Sequence, residues 1–385
     1  MSANRQEVSE SPEQFPTAEP GVSHPQPANS RRDFLGVLGA GLLFSPAQHL
    51  LRADERWSGQ QGEPRIPRDL KPLYPREVPS GQVRAKLYEL LGCEPVPEQV
   101  AFNTGDSETT DDGLRLTKLN YRNALGEEVP GVLTVPVNAS PRSMAGIVCM
   151  PGTSGSVERL VDPEFRREQP GRGPLIGWGR ELARRGFVTL SITLRGTIAR
   201  HISRNHWQKH IRFLAPYGRG FMGVMVDEAL RAARILAVTE TVDPERIGLT
   251  GMSLGGNTTW YAMACDPTIR ASVPVCGSVG SMAIGIHEGD VERHSSYWYI
   301  PHLLRYFDHP RIVAECITPR PFLSIAPTED EDMPRAGVDE MIRVVKPAYD
   351  VAGYPDRFNV HQPPGRHVYK KQYFEWMAEW FRQHC

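Results

Sequence analysis

Cysteine is scarce. The 385-residue chain holds six, Cys93, Cys149, Cys265, Cys276, Cys316 and Cys385, with no C-x-x-C pair among them. That is too few for a disulfide scaffold. Cys149 and Cys276 sit in strand-like apolar runs and read as small buried side chains, while Cys385 at the chain end reads as exposed. Charge of one sign is also missing: 44 Lys and Arg face 45 Asp and Glu, a formal net charge of -1. Without a basic excess or stripe, nucleic-acid binding is not expected. No uninterrupted apolar run approaches the ~18–20 residues that cross a bilayer, so no integral membrane span is expected. Apolar residues are nevertheless 40% of the chain, beside 35 glycine residues, which excludes wholesale disorder. The length admits two domains or one large α/β domain.

The N-terminal region reads as an address. Residues 1–29 are rich in Pro, Ser, Glu and Gln and have little to bury. Ser30-Arg31-Arg32-Asp33-Phe34-Leu35 then opens the apolar run Phe34 to Phe44, which has the length of a signal h-region and is too short to span a membrane. The arrangement resembles a twin-arginine export signal, and Ser45-Pro46-Ala47 offers small residues for cleavage after Ala47. Glu7, Glu10, Glu13 and Glu19 depart from the usual net positive n-region, so an uncleaved, membrane-tethered form stays open. The expected organisation is a signal region over 1–47, a Pro-rich linker or arm over 48–83, and one domain over 84–385. The twin-arginine export machinery is then a partner, and the destination is periplasmic or extracellular.

Beyond residue 83 the pattern alternates. A short helix over Val83–Leu91 stops at Gly92, and the core begins near Gly113. Leu114–Tyr121 and Val129–Val137 flank Asn123-Ala124-Leu125-Gly126, a hairpin signal. Strands are expected at Gly146–Met150, Phe187–Leu194, Arg246–Thr250, Ile269–Cys276, Phe322–Ala326 and Phe358–His361. Helices are expected at Trp178–Arg185, Gly223–Val238, Leu254–Ala264 and Tyr369–Phe381. Strand and helix in turn mean a mostly parallel central sheet with helices on both faces. Residues 195–221 and 277–310 do not fit the alternation. Both leave the carboxyl ends of strands, where open α/β sheets bind ligands.

Gly251-Met252-Ser253-Leu254-Gly255 is a G-x-S-x-G run between an apolar strand and a helix. In that context the tight turn lifts the Ser253 hydroxyl above the sheet at the positive end of a helix. A serine hydroxyl needs a base, and the base needs an orienting acid. His367, in the Gly-containing loop after the last strand, is the candidate base, with His361 on the strand itself as its rival. The acid falls in Pro327-Thr328-Glu329-Asp330-Glu331-Asp332. Asp330, four residues past its strand, is favoured over Asp332 and Glu329. An oxyanion hole needs two backbone N–H donors. Leu254, next to the nucleophile, is one candidate. Thr153 in Pro151-Gly152-Thr153-Ser154-Gly155 is the other, with Ser154 as its alternative.

Residues 84–385 resemble an α/β-hydrolase of the dienelactone-hydrolase, acetylxylan-esterase and prolyl-oligopeptidase-like group. The segment Val242-Asp243-Pro244-Glu245-Arg246-Ile247-Gly248-Leu249-Thr250-Gly251-Met252-Ser253-Leu254-Gly255-Gly256 is similar to that group's V-D-P-x-R-I-G-x-x-G-x-S-x-G-G run. Ile317-Thr318-Pro319-Arg320-Pro321-Phe322 resembles its A-P-R-P segment before the acid strand, which maps the acid onto Asp330. Pro327 replaces a usual glycine there, and Pro151 replaces a histidine found in many members. The resemblance implies an α/β-hydrolase fold and a Ser253–Asp330–His367 triad. It implies acyl transfer from carboxylic esters with no cofactor or metal. Ser253 stands where dienelactone hydrolases proper carry cysteine.

His206 and His210 are four apart but lack the Glu of H-E-x-x-H, which argues against a metal site. Arg195, Arg200, Arg204 and Lys209 instead suggest a basic rim. Trp207, Tyr297, Trp298 and Tyr299 are candidates for loops near the site and would suit acylated carbohydrate, though such aromatics more often pack a lid. Two other functions remain open: a serine peptidase or amidase acting on short peptides, and a non-catalytic binding protein on a hydrolase scaffold.

Overall fold

The computed structural model describes residues 72–75, 77–169, 173–200 and 204–385, with backbone only at 204–206. All of these lie within one compact unit, residues 66–385. The expected signal region over 1–47, its cleavage site and residues 48–71 of the expected arm lie outside the described residues. Among the described residues no helix is long and apolar enough to cross a membrane.

The chain enters through α1 (Ser80–Leu91), which buries Val83, Leu87 and Leu91 and ends on Gly92 in the left-handed region. Three antiparallel strands follow: β1 (Phe102–Thr109), β2 (Leu114–Arg122) and β3 (Glu128–Pro136). The hairpin between β2 and β3 turns where Asn123 and Gly126 predict. The Asn123 side-chain oxygen accepts from the N–H groups of Leu125 and Glu127. β1 lies before the expected start of the core. All eight of its residues are exposed, so it carries no apolar alternation to read, and ladder bonds to β2 hold it in place.

From β4 (Met144–Met150) onward come α2 (Val157–Leu160) and the short pair β5 (Arg166–Arg167) and β6 (Leu175–Ile176). Then follow α3 (Trp178–Arg184), β7 (Val188–Ile192), α4 (Arg204–Leu214) and α5 (Phe221–Ala237). β8 (Val242–Met252), α6 (Leu254–Cys265) and β9 (Ala271–Val275) form the centre. The 277–310 stretch holds α7 (Met282–Glu288), α8 (Leu303–Tyr306) and the start of α9 (His309–Ile312). The chain closes with β10 (Phe322–Ile325), α10 (Arg335–Val351), β11 (Phe358–His361) and α11 (Lys371–His384).

Nine strands make one sheet in the order β1-β2-β3-β7-β4-β8-β9-β10-β11. The six strands from β7 to β11 in that order pair in parallel. Both faces are covered, as a parallel sheet requires. On β4, Val148 and Met150 join the core under α1, α5, α6 and α10, while Ile147 and Cys149 join the core under α3 and α11.

The structure adds two helices to that reading and corrects the exposure of one cysteine. Residues 204–214 are helical. α10 fills the connection between β10 and β11, burying Val338, Met341, Val345 and Tyr349, with Pro347 tolerated inside it. Cys385, expected exposed, is half-buried against the core under α11, whereas Cys149 and Cys276 are buried as their apolar runs predict.

Candidate active site

β8 ends at the middle of the sheet, and the chain must reverse at once into α6. Ser253 makes that turn with φ 56° and ψ -114°, a backbone conformation that L-residues avoid. Such strain costs about 1–3 kcal/mol and persists only where the surroundings enforce it. Two glycines make it feasible. A Cβ on Gly251 would stand 2.5 Å from the Gly255 backbone, and one on Gly255 would stand 2.4 Å from the Met150 carbonyl. Gly255→Ala is therefore expected to destabilise the fold by about 1–3 kcal/mol through overpacking. It should also lower activity, because Ser253 shifts with the turn. Thermal unfolding beside hydrolysis rates checks both effects.

His367 reaches Ser253 from the loop after β11. Its Nε2 lies 2.8 Å from Ser253 Oγ and its Nδ1 2.8 Å from Asp330 Oδ1. In the tautomer that donates from Nδ1 to Asp330, Nε2 is left to accept the serine hydroxyl. The two loops are pinned together. Thr328 N–H donates to the Pro363 carbonyl at 3.0 Å and Glu329 N–H to the Gly365 carbonyl at 2.9 Å. Glu331 accepts from Arg366 Nε at 2.5 Å and from the His367 N–H at 3.3 Å. Burial by itself lowers the pKa of His367. The hydrogen bond to Asp330 and the charges of Asp330 and Asp332 outweigh it, so the net shift is upward from 6.5.

The competing candidates go elsewhere. His361 stays on β11, stacked on Trp376 with ring centroids 4.5 Å apart. Glu329 contributes its backbone to the loop clamp. Asp332 stands on the other side of the imidazole, its Oδ2 3.5 Å from His367 Nε2. Among the described residues neither the Thr153 N–H nor the Leu254 N–H donates to another protein group. The Thr153 carbonyl accepts from Ile198 N–H at 2.8 Å, which fixes the loop that presents it. Ser154 turns its carbonyl to Arg159 Nη1 at 3.0 Å.

These groups open on a cavity of about 320 Å³ lined by Gly152, Thr153, Ser253 and His367, with Trp207, Arg293, His294, Tyr297 and Asp332 around them. A larger groove of about 1110 Å³ runs along β1 and β2 and contains none of the candidate site residues. Trp207 and Tyr297 do line the site, but they pack edge to face at 6.4 Å and present little surface. Trp298 is buried with its face on His294 at 4.2 Å. These rings act as packing for the 277–310 stretch more than as an open platform.

The expected basic rim is largely internal. Arg200 Nη1 donates to the fully buried Glu228 at 2.7 Å, and Arg195 Nη2 lies 2.7 Å from Glu127 and 2.8 Å from His210 Nδ1. Carboxylates distant in sequence neutralise both arginines, and of the rim residues whose side chains are described only Lys209 stands exposed. The Arg204 and His206 side chains lie outside the described residues. One trio of potential ligand atoms, on Cys276, Asp330 and His367, lies within 4.8 Å. Both His367 ring nitrogens are already hydrogen-bonded and burial pushes the Cys276 thiol well up, so the chemistry of this set is that of a hydrogen-bonded cluster.

The sequence reading has no signal for Arg293 or His294. They come from the irregular 277–310 stretch, where α7 packs against α10, and their bonds to Asp332 tie them to the acid loop.

Known proteins with related sequences and folds fit this arrangement. The protein YtaP of Bacillus subtilis (strain 168), provisionally named a hydrolase, is 31% identical over 150 residues, 39% of this chain and 50% of YtaP. The match thus spans about half the length of that relative. A Bacteroides fragilis NCTC 9343 structure, provisionally named an acetyl xylan esterase, superposes with a TM-score of 0.63 at 17% identity, covering 82% of this chain and 92% of that one. The glucuronoyl esterase of Solibacter usitatus gives 0.59 at 15% identity, covering 79% and 91%. The acetyl xylan esterase of Paenibacillus sp. R4 gives 0.55 at 16% identity, covering 83% and 100%. At such identities the likeness is one of fold: a mostly parallel sheet with helices on both faces, the α/β-hydrolase architecture. The sequence pattern of the Abhydrolase family matches residues 80–378, most of the chain, and the protein belongs to that family.

Proposed function

We propose that this protein is a serine hydrolase that cleaves carboxylic esters through an acyl-enzyme, with acylated carbohydrate as the substrate class. One observation carries the reading: the unbroken chain from Ser253 Oγ to His367 Nε2 and from His367 Nδ1 to Asp330, each link 2.8 Å. His367 takes the hydroxyl proton as Ser253 Oγ attacks the ester carbonyl. Charge then develops on the carbonyl oxygen, and the N–H groups of Thr153 and Leu254 are the donors for it, the latter at the positive end of α6. The protonated imidazole, held by Asp330, gives its proton to the leaving alcohol oxygen. Water attacks the acyl-enzyme by the same route in reverse. Every step uses this chain's own groups.

The carbohydrate part of the reading draws on the structural neighbours, which are named for acetyl xylan and glucuronoyl esters. A cavity of about 320 Å³ suits a short acyl group. Export fits the same picture: residues 1–47 act as a twin-arginine-type signal, residues 48–83 as an arm, and the hydrolase domain works in the periplasm or outside the cell. Sequencing the N-terminus of the protein recovered from those compartments tests this part.

The function is tested on a panel of p-nitrophenyl esters, acetylated xylo-oligosaccharides and aminoacyl p-nitroanilides, with a fluorophosphonate probe alongside. The expected result is release from short acyl esters, fastest for acetyl, together with labelling of Ser253. Release from anilides alone would move the assignment to a peptidase. Silence on every substrate without a label would leave a binding protein.

A further inference from the structure

We infer that Asp332 and Arg293 form a charge pair on the reactive face of His367, Asp332 strengthening the imidazole as a base and Arg293 restraining it. The inference rests on the acyl-enzyme reading above and assigns two positioning residues to the same site.

A triad imidazole ordinarily meets one carboxylate, at the nitrogen remote from the serine. Here a second one stands near the other nitrogen. Asp332 Oδ2 is 3.5 Å from His367 Nε2, beside the 2.8 Å bond from Nε2 to Ser253. Asp332 is held from every side and its side chain is only 11% exposed. Its N–H donates to Asp330 Oδ1 at 2.9 Å, its carbonyl meets His294 Nε2 at 2.5 Å, and its Oδ1 accepts from Arg293 Nε at 2.6 Å. One turn of the chain therefore presents two carboxylates, one toward each ring nitrogen. Asp332 and Arg293 both line the cavity that Ser253 opens into, whereas Asp330 lies behind the ring.

The charged and titratable groups facing His367 are few. Asp330 is at Nδ1, and Glu331 accepts from the His367 backbone while paired with Arg366. Cys276 at the end of β9 stays a thiol, since burial pushes it well up. Tyr369 and Tyr373 stay phenols for the same reason. Burial lowers His294, which keeps it neutral. That leaves Asp332, whose charge favours the imidazolium, and Arg293, whose charge opposes it.

The proton balance is simple. The proton moves from Ser253 Oγ to His367 Nε2 and on to the leaving oxygen without passing through Asp332. An anion beside Nε2 makes the first transfer easier and raises the pH below which the base is lost. A cation beside that anion lowers the same pH.

The test is the acid limb of kcat/KM against pH, with the rate of fluorophosphonate labelling of Ser253 and the NMR titration of the His367 ring. Wild type, Asp332→Asn and Arg293→Gln are compared. Asp332→Asn is expected to move the limb down by about one pH unit, the size of a partly screened charge. Arg293→Gln is expected to move it up. Mere structural damage lowers the plateau and the melting temperature without shifting the limb. Limbs that coincide with wild type, or that move in the same direction in both variants, would overturn the pair. If Asp332→Asn does not fold, the upward shift in Arg293→Gln decides alone. If wild-type Ser253 takes no label at any pH, the acyl-enzyme reading is what has failed, and the ring titration still decides the pair.

Discussion

Ser253→Ala is expected to lower kcat for ester hydrolysis by roughly 10⁴- to 10⁶-fold and to abolish fluorophosphonate labelling. The size of the loss follows from the geometry. Oγ is the atom that His367 Nε2 meets at 2.8 Å, and the strained turn at φ 56° places it there. Alanine removes the oxygen but keeps the Cβ and the turn, so stability should change by no more than about 1 kcal/mol. The proposed oxyanion donors at Thr153 and Leu254 and the cavity itself remain, and these would sustain whatever residual rate survives. The measurement is single-turnover hydrolysis beside thermal unfolding of the same preparation. Retention of most of the activity would point to another hydroxyl, and Ser154 and Ser295 are the other serines that line the cavity.

Asp330→Asn is expected to lower kcat by about 10³- to 10⁴-fold, with the melting temperature reported beside it. The carboxylate accepts from Nδ1–H, which leaves Nε2 free to accept the serine proton. An amide that turns its N–H₂ toward Nδ1 selects the opposite tautomer, and Nε2 then carries a hydrogen where it should accept one. Asp332→Asn should keep most of the plateau rate, because Asp332 does not hold the tautomer. The contrast between two acids two residues apart is the sharpest measure of their roles. Equal losses in both variants would mean that the two share the work of orienting His367. A larger loss at Asp332 would reverse the assignment.

The three residues of the proposed triad were readable because each sits at a strand end with a local mark. Ser253 is bracketed by glycines, His367 follows Gly365, and the acids follow Pro327. Those marks report backbone geometry that the side chains must accommodate, and such geometry is local. The order of strands and helices was readable from residue 114 for the same reason: buried parallel strands form short apolar runs and their helices show one apolar face. β1 was not readable, since an exposed strand has no alternation to display. α10 was not either, since Pro347 and the acidic run before it mask a helix whose buried face is Val338, Met341, Val345 and Tyr349.

The basic rim is the plainest case of a local reading overturned. Arg195 and Arg200 fall in a stretch with many cations and few anions. Their partners, Glu127 and Glu228, come from the β2–β3 hairpin and from α5. Buried guanidinium groups need such partners, and composition of the stretch cannot supply them.

Neighbouring residues thus carry the α/β architecture from residue 114 onward and mark the candidate serine, histidine and favoured acid that the fold brings together, because strand-end turns and apolar periods are local. Folding settles which acid meets which ring nitrogen, that Arg293 faces the site, and that two arginines of the supposed rim are neutralised inside. Those facts depend on distances between segments far apart in the chain, and a 3.5 Å contact between Asp332 and His367 has no counterpart in the order of residues.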